Sequence, residues 1–272
     1  MQLSEIKKAD EASKPAGANA DWLTQAAMYA DSSRDWTSKL LKTMQVGLPN
    51  NENPIQVNML RRVVDRLAVI YDQPPTRWLL DEDGKRIDEE DPRHRAMNTL
   101  LGRRYNMAWR AIDKKRALHR NAVVRFYASN AKRQVVLRTF DPFAVIRAVG
   151  DADHDTMDGD SAFALNVGSV ERPRWEKWAK VGEEQWSCLV VDDEDNVISR
   201  PFVGTDDVCP YDRLPVQIIY DEWPDGRAWL APRSSRTTWS AAINAVANDL
   251  WSLAIEQAHS EVYGTADDAS DI

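Results

Sequence analysis

The sequence predicts an α+β fold, with a helical N-terminal part, a β-rich middle and a long C-terminal helix. Three observations predict it. Apolar residues recur at intervals of three and four through 57–70, and helical patterning also marks 21–41 and 93–119. From Asn121 the period changes to two, or to short apolar runs bounded by turn formers. Past Arg233, the residues Trp239, Ile243, Val246, Leu250 and Leu253 stand at steps of 4, 3, 4 and 3, which is helical spacing again.

Taken in order, residues 1–20 read as a flexible arm of small and charged residues with Pro15 and Gly17. Helical patterning follows through Trp22, Leu23, Ala26, Ala27 and Tyr29, then through Trp36, Leu40 and Leu41, with Asp31-Ser32-Ser33 as a break and cap between them. Residues 47–54 are rich in turn formers. The next helix carries Val57, Leu60, Val63, Val64, Leu67 and Ile70, and Pro74-Pro75 ends it. Residues 76–80 read as a strand, Asp83-Gly84 as a hairpin turn, and Pro92 opens the next helical stretch.

Strands are expected around Val123–Tyr127, Val135–Leu137, Val145–Ala148, 162–167, Trp175–Trp178, 186–191, Val197–Ile198 and Val216–Tyr220. Asp195-Asn196 is a hairpin turn, and Pro224-Asp225-Gly226 is a second turn ahead of the C-terminal segment. Ser234 or Ser235 supplies an N-cap for a helix over 234–263, and an acidic tail occupies 264–272. The expected organisation is therefore an arm (1–20), an α+β body (21–233), the long helix and the tail.

Composition narrows the function. With 43% hydrophobic and 29% charged residues, the chain has the make-up of a globular protein. No apolar run reaches membrane-spanning length. The net charge of −8 argues against a protein whose main task is gripping phosphates. The most basic stretch is 103–120, where charges scatter without alternating aromatics, as on a solvated face pairing with nearby acids. Eleven tryptophans read as core and interface packing. Cys188 and Cys209 make no disulfide framework.

Motifs for catalysis are missing from the sequence. A calcium loop counted from Asp151 would need Gly and Glu where Thr156 and Ala162 stand. The histidines 94, 119, 154 and 259 show no zinc spacing. No G-x-x-x-x-G-K-[ST] loop, no G-x-S-x-G elbow and no dinucleotide fingerprint occurs. No catalytic, cofactor-binding or metal-binding residue is assigned. Asp192-Asp193 and Asp206-Asp207 sit in turn-like contexts and read as solvated.

Two stretches carry a family resemblance. Arg213-Leu214-Pro215-Val216, a short strand, and then Ala241-Ala242-Ile243-Asn244 form one. Asn58, Val63, Val64, Asp65, Ala68, Tyr71, Pro74 and Pro75 form the other. In the order of these parts, from about Asn53 to Gly264, the chain resembles the wing and first stem helix of tailed-bacteriophage portal proteins. In that family a clip, a second stem helix, a tunnel loop and crown helices follow.

The resemblance implies a structural, non-enzymatic subunit of a ring, usually twelve copies, at one capsid vertex. The ring passes double-stranded DNA without sequence preference during packaging and ejection. The implied partners are further copies of the chain, the major capsid protein, a head-tail adaptor and the terminase large subunit, with no membrane. The implied location is the virion, and the host cytoplasm during assembly. Trp239, Ile243, Val246, Leu250 and Leu253 become a seam between subunits. Asp249, Glu256 and Glu261 become channel-facing carboxylates that repel the DNA backbone. Two alternatives stay open: another head-tail adaptor or minor head protein, and an α+β hydrolase.

Overall fold

The computed structural model describes residues 1–30, 58–69, 76–129, 134–150, 156–169, 171–182, 185–202, 206–211 and 213–233. It also describes 235, 238–240, 242–248, 250, 253 and 254. The chain divides into two compact units: Met1–Trp22 with Asp65–Pro232, and Leu23–Val64 with Arg233–Ile272.

Among the described residues, the helices ahead of the strands are α1 (Leu3–Ser13), α2 (Ala18–Ala30), α3 (Met59–Leu67) and α4 (Pro92–His119). Asn58 caps α3, its Oδ1 accepting the Arg61 N–H at 2.8 Å. Asp91 caps α4 by accepting the Arg93 N–H at 2.7 Å, and Pro92 fills the first helical position. That helix stops at Arg120, which takes a left-handed φ of 67°; its guanidinium is held by the Ala231 carbonyl and Glu222. The expected strand over 76–80 is reduced to one bridge, Leu80 with Arg86. The Asp83-Gly84 turn forms, with Gly84 at φ +76° and the Asp81 carboxylate accepting from the Asp83 and Lys85 N–H groups.

Among the described residues, eight strands follow at the predicted places: β1 (Asn121–Ser129), β2 (Gln134–Phe140), β3 (Val145–Val149), β4 (Asp160–Asn166), β5 (Trp175–Lys180), β6 (Trp186–Val191), β7 (Val197–Ser199) and β8 (Val216–Tyr220). They build two antiparallel sheets. One is three-stranded, in the order β2-β1-β8, and the other is a five-stranded meander from β3 to β7. In the first, Val123 lies opposite Phe140 on β2 and Ile218 on β8.

Alternation along the strands sorts side chains into three cores. Val123, Phe140, Val145, Phe163, Trp178, Trp186 and Val216 meet between the two sheets, joined there by Trp22 and Trp229. Ala122, Val124 and Leu137 face the other way and pack on Ile112 of α4. Ile146, Ala148, Ala162, Ala164 and Trp175 receive Leu3 and Ile6 of α1. The first unit is thus four layers: α1, the five-stranded sheet, the three-stranded sheet and α4.

Two expectations are corrected. The flexible arm over 1–20 is instead α1 and the start of α2, with Leu3, Ile6, Ala18 and Trp22 buried. The alanines on β3 and β4 let α1 approach closely, so two apolar side chains suffice to seat it. The long helix over 234–263 is not what the structure shows. Among the described residues, helix occurs at 235, 238–240, 242–248, 250, 253 and 254, and 255–272 lie outside them. Among the described residues of this segment, the apolar stripe that would anchor such a helix is exposed, not packed on the chain.

Candidate functional site

The seam residues are together on one side of the C-terminal segment, and that side faces solvent. Trp239 is 70% exposed, Val246 57%, Leu250 62%, Leu253 53% and Ile243 37%. The opposite side, Ser240, Asn244, Ala245 and Asn248, is buried. Asn248 donates to the Asn244 carbonyl at 2.7 Å, one turn back. The usual polarity is inverted: small and polar residues point inward, large apolar ones outward. Contiguous exposed apolar patches of this kind mark interaction surfaces in general. The three carboxylates expected to face a channel, Asp249, Glu256 and Glu261, lie outside the described residues.

The strongest electrostatics lie in the layered unit. Arg147 on β3 is fully buried between the sheets. Its Nε and Nη2 donate to the two oxygens of Asp160 at 2.7 and 2.9 Å, and its Nη1 donates to Tyr220 Oη at 3.1 Å. The remaining donors reach the Ala228 and Thr156 carbonyls. Burial works against the charge, but Asp160 and Tyr220 outweigh it, and the guanidinium titrates above its ordinary range. A second pair crosses between the sheets: Arg125 Nε lies 2.6 Å from Glu176 Oε1, which also accepts the Trp178 indole N–H at 2.8 Å.

A third pair seals an edge. In the five-stranded sheet β3 is an outer strand. Asp10 of α1 accepts the Arg147 backbone N–H at 3.1 Å, and Lys14 donates to the Val145 carbonyl at 2.9 Å. Asp10 and Lys14 bond each other at 2.6 Å, and the Trp229 indole donates to Asp10 at 3.2 Å. Burial pushes Asp10 above the usual carboxylate range and Lys14 below the usual amine range. At its other end α1 presents the Leu3 N–H to Asp195 at 3.2 Å and Lys7 to Asp193 at 2.7 Å, both in the β6–β7 turn.

These groups are partners of one another, and the arrangement fastens layers. His119 is buried with Nε2 3.4 Å from Asp141, which also holds Lys115 at 2.9 Å. Burial opposes the Asp141 charge, but His119 and Lys115 prevail and keep it below the ordinary value. Cys188 is buried and its thiol is pushed well above the usual range by that burial. Among the described residues, no three or more His, Cys, Asp or Glu side chains gather as a metal site would require. No helix among them is long and apolar enough to cross a membrane.

The basic stretch behaves as a paired face. Lys114 meets Asp65 at 2.6 Å, Lys115 meets Asp141, and Arg116 binds Asp113 and Asp221. The stretch rejected as a calcium loop runs on to Asp160, which is fully buried; residues 151–155 lie outside the described residues. Three of the interior charges were legible only as parity. Arg125, Arg147 and Glu176 sit on strand positions of the same parity as Val123, Val145 and Trp178, the inward-facing set.

No protein-family profile matches the chain, and no curated protein is similar to it.

Proposed function

We propose that the chain is a structural subunit that assembles with copies of itself into a portal-like ring, through which double-stranded DNA passes. The observation that carries this reading is the solvent-facing seam of Trp239, Ile243, Val246, Leu250 and Leu253. Five large apolar side chains on one side of a segment are left open by a single chain, and burial between rotationally related copies is what would cover them. A rigid four-layer body braced by buried ion pairs suits a collar that bears load.

Charge supports the same reading. Residues 237–272 contain six Asp or Glu and no Lys or Arg. A ring lined by such a segment repels the phosphate backbone, so DNA slides without adhering. In this role the ring docks the terminase and the head-tail adaptor at a capsid vertex, and no catalysis is required.

Native mass spectrometry and electron microscopy of the purified full chain test the proposal. The expected result is closed rings with a central opening, of about twelve copies by the portal resemblance. A particle that stays a single chain at every concentration would overturn it.

A further inference from the structure

A ring requires a head-to-tail interface, made by two different patches on each copy. The layered unit carries one such patch, an apolar groove between the 79–87 turn and the start of α4. Leu79, Leu80, Ile87, Met97 and Leu100 line it, and its volume is about 430 Å³. Leu80 and Leu100 are exposed.

The wall that the turn gives this groove is acidic. Asp81, Glu82, Asp83, Asp88, Glu89 and Glu90 are exposed there, against Lys85 and Arg86, and none of these carboxylates has an ion pair among the described residues. Asp91 and Arg93 pair with each other at 2.9 Å and cancel. Arg95 stands two residues from Arg93 and so on another side of α4, and Arg103 and Arg104 follow the last lining residue of the helix, Leu101. What fits this wall is an apolar surface flanked by cations.

The chain itself presents one. On α3, Leu60 and Val64 are buried, while Val63 and Leu67 are 41% and 46% exposed. Arg62 and Arg66 run alongside the exposed pair with the same helical spacing; both are exposed, with no ion pair among the described residues. The single acid of α3, Asp65, is held by Lys114 at 2.6 Å. By contrast, the bases in the last turns of α4 are already paired, Lys115 with Asp141 and Arg116 with Asp113 and Asp221. The seam segment has no Lys or Arg between 237 and 272 and does not complement the wall.

Within one copy the two patches are apart. The Asp65–Lys114 pair fixes α3 against the second half of α4. Lys114 stands 13 residues beyond Leu101, a rise of about 20 Å. A chain therefore does not seat its own α3 in its own groove, whereas the next copy can. From this we infer that α3 of one copy seats in the groove of its neighbour, with Val63 and Leu67 on the leucines and Arg62 and Arg66 on the carboxylates of the turn. The inference rests on the ring reading and adds to it a contact beside the seam.

The test uses full-length chains in native mass spectrometry and sedimentation. One variant combines Arg62→Glu with Arg66→Glu, a second combines Glu89→Lys with Glu90→Lys, and a third carries all four changes. Wild type is expected to form rings. Each double variant is expected to associate at least about tenfold more weakly, because like charges then face each other across the contact. The fourfold variant restores opposite signs and is expected to assemble within about threefold of wild type.

Rings formed by either double variant as readily as by wild type would overturn the α3–groove contact and leave the ring reading standing; a groove that serves a basic segment of a different protein gives this outcome. A fourfold variant as weak as the doubles would overturn the contact too. A monomeric wild type would overturn both readings. Circular dichroism and Tm establish that each variant is folded. Arg66→Gln and Glu89→Gln, with the same direction expected, replace either pair that is not.

Discussion

At the residue scale, the fold depends on charges placed where the strand pattern calls for apolar side chains. Arg147 and Asp160 are both fully buried, and their hydrogen bonds satisfy each other. Asp160→Ala leaves a buried guanidinium without its counter-charge, and urea denaturation should show a loss of about 3–5 kcal/mol. Glu176 gives a pH signature. Burial raises it above the ordinary 4.5 of a glutamate, while Arg125 and the Trp178 N–H pull it back down. Over the window upward from 4.5, the native state therefore keeps a proton that the unfolded chain has released. Stability contributed by this group falls as pH rises through that window. The stability difference between wild type and Glu176→Gln, followed by thermal melts, should decline as pH climbs from 4.5; a difference that rose instead would contradict the buried placement. Cys188 should resist a thiol reagent in the native protein and react only after denaturation, because its thiolate is disfavoured and covered.

At the element scale, α1 does the work of a ninth strand. Asp10 and Lys14 offer β3 an acceptor and a donor where a neighbouring strand would have offered its backbone. An open edge invites pairing with another chain, and a charged cover prevents it. Lys14→Met leaves Asp10 buried without its cation. Two outcomes are expected from it: a loss of several kcal/mol, and faster hydrogen exchange at the Arg147 amide, read by mass spectrometry. If that amide exchanged no faster, the edge-sealing role would be wrong. Sequence periodicity had little to say about α1, because only Leu3 and Ile6 of its apolar residues are deeply buried and charged residues outnumber them. A short helix held by salt bridges and two side chains looks like an arm until the sheet beneath it is known.

At the scale of the whole molecule, the exposed seam sets the behaviour. Trp239→Ala removes a side chain that is 70% exposed, so the Tm of the single chain should hardly move, within about 0.5 kcal/mol in stability terms. The same substitution should weaken self-association by about tenfold or more in sedimentation, as loss of an aromatic anchor does.

The sequence by itself determined the N-terminal helices and the β-rich middle, the positions of the eight strands among the described residues, the turns at Gly84, Asp195 and Gly226, and the sign of charge along the chain. These are local properties: side-chain period, turn chemistry and ionisation do not depend on distant contacts. Only the tertiary structure decided that the strands divide into two sheets, that Asp10, Arg147 and Asp160 are interior, and that α1 closes the edge of β3. It also decided that Trp239, Val246 and Leu250 face outward while Asn244 and Asn248 face in. Periodicity finds the two sides of a segment, but which side is covered depends on what the rest of the chain brings to it, and no local pattern encodes that.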